Sequence, residues 1–324
     1  MSMVGNGIEV RFLSLKMYIL FMEQDIIGKW RIIRKIDEGS YADVYLAEEV
    51  YNPENRVALK IFEKNISRLI VKSFRREITA IMMLRHPYIV EMKDYSVNPM
   101  YIAYELMDYT LEDYIIRYPL SFEEALDIWI KIVDAIAYAH SKGIVHQDIN
   151  PRNILVKNST VKISDFGISE LIKIKMREEG EKYKTLEKRK ITGLLYWVSP
   201  EQQAGIIDMR NDIYSLGKLL HYLLTSGGIL PQVITIQHLE AYNYPEWCKK
   251  IIIKCLQPLD KRYQTINQLI EEVRKNIKPK THRIEELSRL AAELITQGVT
   301  LGRQGKYSEA EEAYRRAKEL GFSS

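Results

Sequence analysis

Three short stretches gather the side chains that can do chemistry. Val57-Ala-Leu-Lys60 ends an apolar run on a lysine. His146-Gln-Asp-Ile-Asn-Pro-Arg-Asn153 sets Asp148 five residues before Asn153, and Asp165-Phe-Gly167 begins twelve residues beyond Asn153. A carboxylate accepts a proton, carboxylate and carboxamide oxygens hold hard cations, and an ammonium holds phosphate. Phosphoryl transfer asks for those parts: phosphates held still, a metal that neutralises charge, and a carboxylate beside the attacking hydroxyl. Two further features join them. Glu77 lies in Phe74-Arg-Arg-Glu-Ile78, and Gly39 lies in Ile36-Asp-Glu-Gly-Ser-Tyr-Ala-Asp-Val44. Each has a plain reading when taken alone: a hairpin for 36–44, a solvated side chain for Lys60. Chemistry becomes the better reading only when all occur in this order on suitable elements.

The elements follow from periodicity. Apolar and polar residues alternate over Trp30–Ile36, Val44–Ala47 and Arg56–Phe62, with Asn52-Pro-Glu-Asn55 as a turn, which predicts three antiparallel strands. Residues 68–84 switch to a helical period with Phe74, Ile78, Ile81 and Met82 on one stripe. Strands are expected at 89–96 and 100–106. A helix is expected over Glu123–Ser141, with Ser121 and Glu124 forming a capping box and Gly143 ending it. Short strands follow at 154–156 and 161–163, then helices at 211–225, 245–256 and 264–276. A strand-rich first part and a helical second part predict two unequal lobes of an α+β fold. Residues 276–282 read as a linker, and 283–322 are helical again.

In this order the stretches resemble the protein kinase family, over about Gly28 to Ile277. Residues 36–44 are similar to the glycine-rich loop G-x-G-x-x-G-x-V, with Asp37 and Ala42 where glycines would stand. Val57-Ala-Leu-Lys60 resembles the V-A-I-K element and Glu77 the ion-pair glutamate. Residues 146–153 resemble the catalytic loop H-R-D-x-x-x-x-N, and Asp165-Phe-Gly167 the metal-binding D-F-G. The resemblance implies that Asp148 orients and deprotonates the substrate hydroxyl, that Asn153 and Asp165 hold Mg2+, and that Lys60 meets the ATP phosphates. It also implies that Val44, Ala58 and Leu155 sandwich the adenine, with Tyr104 as gatekeeper and Glu105–Met107 as hinge. Ser199-Pro-Glu201 resembles A-P-E, Asp212 the anchor of the catalytic loop, and Arg262 the buried partner of Glu201. The implied fold is bilobal, with a β-rich N-lobe and a helical C-lobe. The implied activity is transfer from ATP to serine or threonine hydroxyls of protein substrates, the enzyme itself included.

The departures from that pattern are specific. Gln147 replaces the arginine that captures a phosphate on the activation loop, so loop phosphorylation is not expected to be required. Asn150 replaces a lysine that stabilises the transferring group. Arg152 is expected either to supply that charge or to be a solvated side chain. Leu194 and Trp197 leave the acceptor hydroxyl open to dual specificity. Lys173, Lys175, Arg177, Lys182, Lys184, Lys188, Arg189 and Lys190 read as a solvated loop or as a docking strip for acidic substrates. Ser169, Tyr183, Thr185 and Thr192 are candidate autophosphorylation sites.

Composition sets the remaining bounds. A net charge of +4 on 324 residues argues for no nucleic-acid partner. Residues 12–21 are largely apolar, interrupted by Lys16, and too short for the roughly 20 residues of a spanning helix. No membrane partner is expected, and residues 1–27 read as an N-terminal extension before a kinase domain at 28–278. Cys248 and Cys255 lie on one helical face and read as buried free thiols, as in a reduced, cytoplasmic setting. The abundance of Ile, Lys, Glu and Tyr would suit a thermophilic microbe. Residues 283–322, with Gly298, Gly305, Ala310, Tyr314 and Ala317, resemble one tetratricopeptide repeat. A single repeat cannot bury its own face, so it would dock, pair with a partner or self-associate; a plain amphipathic hairpin is the alternative. A pseudokinase scaffold or a small-molecule phosphotransferase also stays open. Retention of Lys60, Glu77, Asp148, Asn153 and Asp165 weighs against the first, and Ser199-Pro-Glu201 with Asp212 and Arg262 against the second.

Overall fold

The computed structural model describes residues 26–38, 42–62, 68–166, 196–228, 231, 233–277 and 293–319. They fall into two compact units, one ending at Gln268 and the other beginning at Leu269.

The first unit starts as a six-stranded antiparallel sheet. Its strands are β1 (Ile26–Ile27), β2 (Trp30–Glu38), β3 (Ala42–Glu49), β4 (Asn52–Phe62), β5 (Met92–Val97) and β6 (Met100–Glu105), in the order β1-β2-β3-β4-β6-β5. The expected turn at 52–55 is instead the irregular start of β4. Glu49 pairs with Asn52 while Glu48 pairs with Arg56, so the extra residues bulge out, and the Asn55 amide donates to Glu49 at 2.7 Å. Alternation along β4 divides the sheet. Val57 and Leu59 point to one face, where they join Trp30, Ala47, Tyr101 and Ala103 in a sealed core. Ala58 and Lys60 point to the other. There the register places Val44 opposite Lys60 and Tyr104 opposite Ala58. Helix α1 (Arg68–Met83) buries Phe74, Glu77, Ile78 and Ile81, with the Phe74 ring edge-on to Phe62 at 5.0 Å. Strand β5 begins three residues later than expected, because Ile89 bridges in parallel to Ile163.

A three-stranded sheet follows, β7 (Tyr109–Thr110), β8 (Ile154–Lys157) and β9 (Thr160–Ile163), in the order β7-β8-β9. Helix α2 (Leu111–Arg117) was not foreseen, because seven residues are too few to show a helical period. Thr110 caps it by accepting from the Asp113 N–H at 3.1 Å. Helix α3 (Phe122–Ser141) has the capping box expected of Ser121 and Glu124. Gly143 ends it at φ 73°, with the Ile144 N–H returning to the Ala139 carbonyl. Further on come α4 (Pro200–Gln203), α5 (Met209–Leu224), α6 (Ile236–Glu240) and α7 (Glu246–Cys255), while α8 (Ile266–Asn276) runs from the end of this unit into the second. Helix α5 lies against α3, where the Trp129 indole donates to the Leu216 carbonyl at 2.8 Å, and against α7. Cys248 and Cys255 are both buried free thiols, as expected.

In the second unit, helices α9 (293–303) and α10 (Tyr307–Glu319) are joined by a tight turn at Gly305, φ 76°. Ala310, Ala313 and Ala317 are buried along α10, and a Cβ on Gly298 would stand 2.8 Å from the Tyr314 ring. No helix among the described residues is long and apolar enough to cross a membrane. The expectations for residues 1–25, Gly39 and 167–195, including the basic loop, its hydroxyl residues and Leu194, lie outside the described residues.

Candidate active site

The site is built on a loop pinned from below. Asp212, fully buried on α5, accepts the His146 N–H and the Gln147 N–H, each at 2.8 Å, and lies 2.9 Å from His140 Nε2. Gln147 has φ 69°, a region that costs a side-chain-bearing residue about 1–2 kcal/mol. The two Asp212 bonds and the Gln202 amide, which donates to the Gln147 carbonyl at 2.7 Å, hold it there. His146 fixes the next turn. Its Nδ1 accepts the Asp148 N–H at 3.2 Å, so Nε2 carries the proton donated to the Ser164 carbonyl at 2.9 Å. Phe166 packs on the same ring at 4.4 Å. The H-x-D and D-F-G stretches are therefore tied through one imidazole.

Asp148 stands above this base, half-buried, with both carboxylate oxygens engaged. The Asn150 amide donates to Oδ1 at 2.9 Å and the Asn153 amide to Oδ2 at 2.8 Å. Burial raises the Asp148 pKa, and His146 with the two amides opposes that rise. The Asn150 bond was expected of neither resemblance nor spacing. An Asn two residues from a carboxylate on a tight turn is a standing candidate for such a local bond, and Asn150 also caps the turn at Pro151–Asn153.

Opposite lies a polar node between sheet and helix. The Lys60 ammonium donates to Glu77 at 2.9 Å and to Asp165 at 2.6 Å, joining groups 17 and 105 residues away in sequence. Burial alone would lower the Lys60 pKa; the carboxylates of Asp165 and Glu77 outweigh it and hold the group above its ordinary range. Tyr104 adds a bond absent from the expectations, its hydroxyl donating to Glu77 at 2.6 Å.

Val44, Ala58, Met107 and Leu155 are half-buried, and Val44 and Ala58 share the Lys60 face of the sheet. Glu105 does more than line the hinge. It accepts from Lys162 at 2.6 Å and from the Glu91 N–H at 2.7 Å, while Lys157 donates to the Leu106 carbonyl. Arg262 reaches Glu201 at 2.5 Å, as expected. Arg152, by contrast, is turned to Glu112 at 2.8 Å, with side-chain exposures of 58% and 39%. Its backbone N–H donates to Asn150 and its Nε to Glu112, and neither bond reaches Asp148, Asn153 or Asp165. Gly39 lies outside the described residues.

The donor set suits a magnesium ion: the Asp165 carboxylate and the Asn153 carboxamide are hard oxygen ligands, and Asn153 spends its N–H groups on Asp148, leaving its oxygen for a cation. No group of three His, Cys, Asp or Glu side chains placed to hold a metal ion exists among the described residues, so an ion here would draw other ligands from phosphate and water.

Comparisons with known proteins agree with this geometry. The protein kinase domain model matches residues 30–299. The probable serine/threonine-protein kinase PknB of Lactococcus lactis is 30% identical over 267 residues, covering 76% of this chain and 41% of the relative. The serine/threonine-protein kinase PrkC of Bacillus subtilis is 33% identical over 273 residues, covering 77% and 40%. The chain thus spans about two-fifths of the length of these relatives. The crystal structure of the Mycobacterium tuberculosis PknI kinase domain superposes with a TM-score of 0.58 at 20% identity, covering 78% of this chain and 98% of that domain. It shares the fold. A match over most of its length, with the Lys60, Asp148 and Asp165 elements in place, makes this chain a member of the protein kinase domain family.

Proposed function

We propose that this chain transfers the γ-phosphoryl group of ATP to serine or threonine hydroxyls of proteins, itself included. The observation that carries the proposal is the Lys60 ammonium held between Glu77 and Asp165. In this reading Lys60 holds the ATP phosphates in register, and Val44, Ala58 and Leu155 flank the base. Asp148, fixed by Asn150 and Asn153, orients the acceptor hydroxyl and takes its proton. Magnesium, held by Asp165 and Asn153, supplies charge neutralisation on the phosphates when bound. Serine and threonine are favoured as acceptors by what the PknB and PrkC relatives are called. With Gln147 in place of an arginine, activity does not wait on loop phosphorylation, so phosphatase treatment leaves it intact.

Incubation with labelled ATP and magnesium, followed by phosphoamino-acid analysis, tests the proposal. Label on serine or threonine is expected, lost in Asp148→Ala and Asp165→Ala. Absence of transfer by the wild type, or label on tyrosine alone, refutes it. Turnover unchanged in Arg152→Ala would remove Arg152 from the machinery. The α9–α10 pair, with Ile295, Val299, Tyr307 and Tyr314 exposed, is read as one repeat that meets a partner or a second copy. Light scattering of the chain and of an Ile295→Ser/Val299→Ser variant tests the second-copy form.

A further inference from the structure

Tyr104 sits in the largely buried strand Met100-Tyr-Ile-Ala-Tyr-Glu105 and is only 8% exposed. A buried phenol needs a partner for its hydroxyl. The partner is Glu77 Oε1, at 2.6 Å, the same oxygen that accepts from Lys60 at 2.9 Å. The register accounts for the meeting. Tyr104 stands opposite Ala58, which shares the face of Lys60, so ring and ammonium rise side by side toward α1. Glu77 is 1% exposed, so water does not replace a missing donor there. Hydrogen bonds to a buried ionised group are among the strongest a protein makes, and their loss is felt in full.

We infer that the Tyr104 hydroxyl is a positioning group that holds Glu77, and through Glu77 the Lys60 ammonium, in the phosphate-binding arrangement. The device is internal to the domain. It joins the central sheet to α1 through a bond between residues 27 apart in sequence. Alongside Gln147, it gives a physical reason for a kinase whose α1 helix is in place without a phosphorylated loop. The inference rests on the kinase reading above, yet its structural part concerns the nucleotide-free protein and can fail separately.

The test uses the full chain with Tyr104→Phe, which keeps the ring and removes the hydroxyl, and Tyr104→Met, which removes both. Steady-state kinetics separate KM for ATP, KM for a protein substrate and kcat. Amide hydrogen exchange over residues 68–83 is followed without nucleotide. In Tyr104→Phe, kcat/KM for ATP is expected to fall about 10-fold, the scale of one bond to a charged group. The loss should enter mainly through KM for ATP, with KM for the protein substrate unchanged and exchange of α1 accelerated. Tyr104→Met should show the same kinetic pattern. If Tyr104→Phe keeps wild-type kcat/KM and α1 exchange while Tyr104→Met loses both, the ring and not the hydroxyl is what matters, and the inference is overturned. If the wild type transfers no phosphoryl group, the kinase reading falls, and faster α1 exchange in Tyr104→Phe would still support the positioning of Glu77 while unchanged exchange would refute it.

Discussion

Replacing Asp212 by asparagine should damage both stability and turnover, and the structure sets the scale. The carboxylate accepts three donors inside a sealed space: the His146 and Gln147 N–H groups and His140 Nε2. An asparagine keeps the volume but turns one acceptor into a donor. Oriented one way, its NH2 faces the Gln147 N–H; oriented the other way, it faces the His146 N–H. Either choice leaves one buried backbone donor unpaired, at about 1–3 kcal/mol. The surviving bonds drop from charge-assisted to neutral strength, roughly another 1 kcal/mol each. Relief from burying a charge offsets part of this, and a net loss of about 3 kcal/mol is expected. At about 2–4 °C per kcal/mol for a domain of this size, the melting temperature should fall by about 6–12 °C. The unpaired N–H lies on the loop that carries Asp148, and Gln147 is already held at φ 69°, so kcat should fall with it. Differential scanning calorimetry and turnover under saturating ATP measure the two effects. A melting temperature within about 2 °C of wild type, with undiminished kcat, would refute the view that Asp212 holds the loop in its strained conformation.

Other perturbations probe separate links. Asn150→Ala removes one of the two amides that hold Asp148, so kcat should fall about 5–10-fold, the scale of one hydrogen bond, while KM for ATP stays unchanged; a loss confined to KM would contradict this. Gly217→Ala would drive a Cβ into the Cys255 Cβ where α5 and α7 touch. Overpacking of about 1–3 kcal/mol should outweigh the gain in helix propensity and lower the melting temperature, and an unchanged value would mean that the two helices separate freely. Burial pushes the thiols of Cys248 and Cys255 up to about 12, so both stay protonated at neutral and mildly alkaline pH. Iodoacetamide at pH 8 should label neither in the native protein and both after unfolding, as read by intact mass.

How far the site could be read in advance depended on whether a contact follows from a residue's neighbours in sequence or from the packing of distant elements. Lys60, Asp148, Asn153 and Asp165 could be proposed from sequence because each lies in a stretch whose order and spacing phosphate and metal chemistry would constrain. The Glu201–Arg262 pair and the Asp212 anchor were legible only through family resemblance, since 61 and 66 residues separate the partners. Short elements were lost. Helix α2 owes its start to a Thr110 cap and its place to burial of Leu111 and Ile115, neither of which shows in seven residues of pattern. Arg152 shows why charge alone misleads. It stands one residue before Asn153, yet its side chain answers to Glu112, forty residues earlier, on that unforeseen helix. A guanidinium takes the nearest carboxylate that tertiary structure offers, so its role could not be read before α2 was placed. Tyr104 is the converse case. The strand around it announces a buried phenol, and a buried phenol demands an acceptor; only the register of β4 with β6 and the position of α1 show that the acceptor is the carboxylate holding Lys60. The residues proposed to move phosphate are thus written locally, whereas the contacts that hold them emerge only when sheet and helix meet.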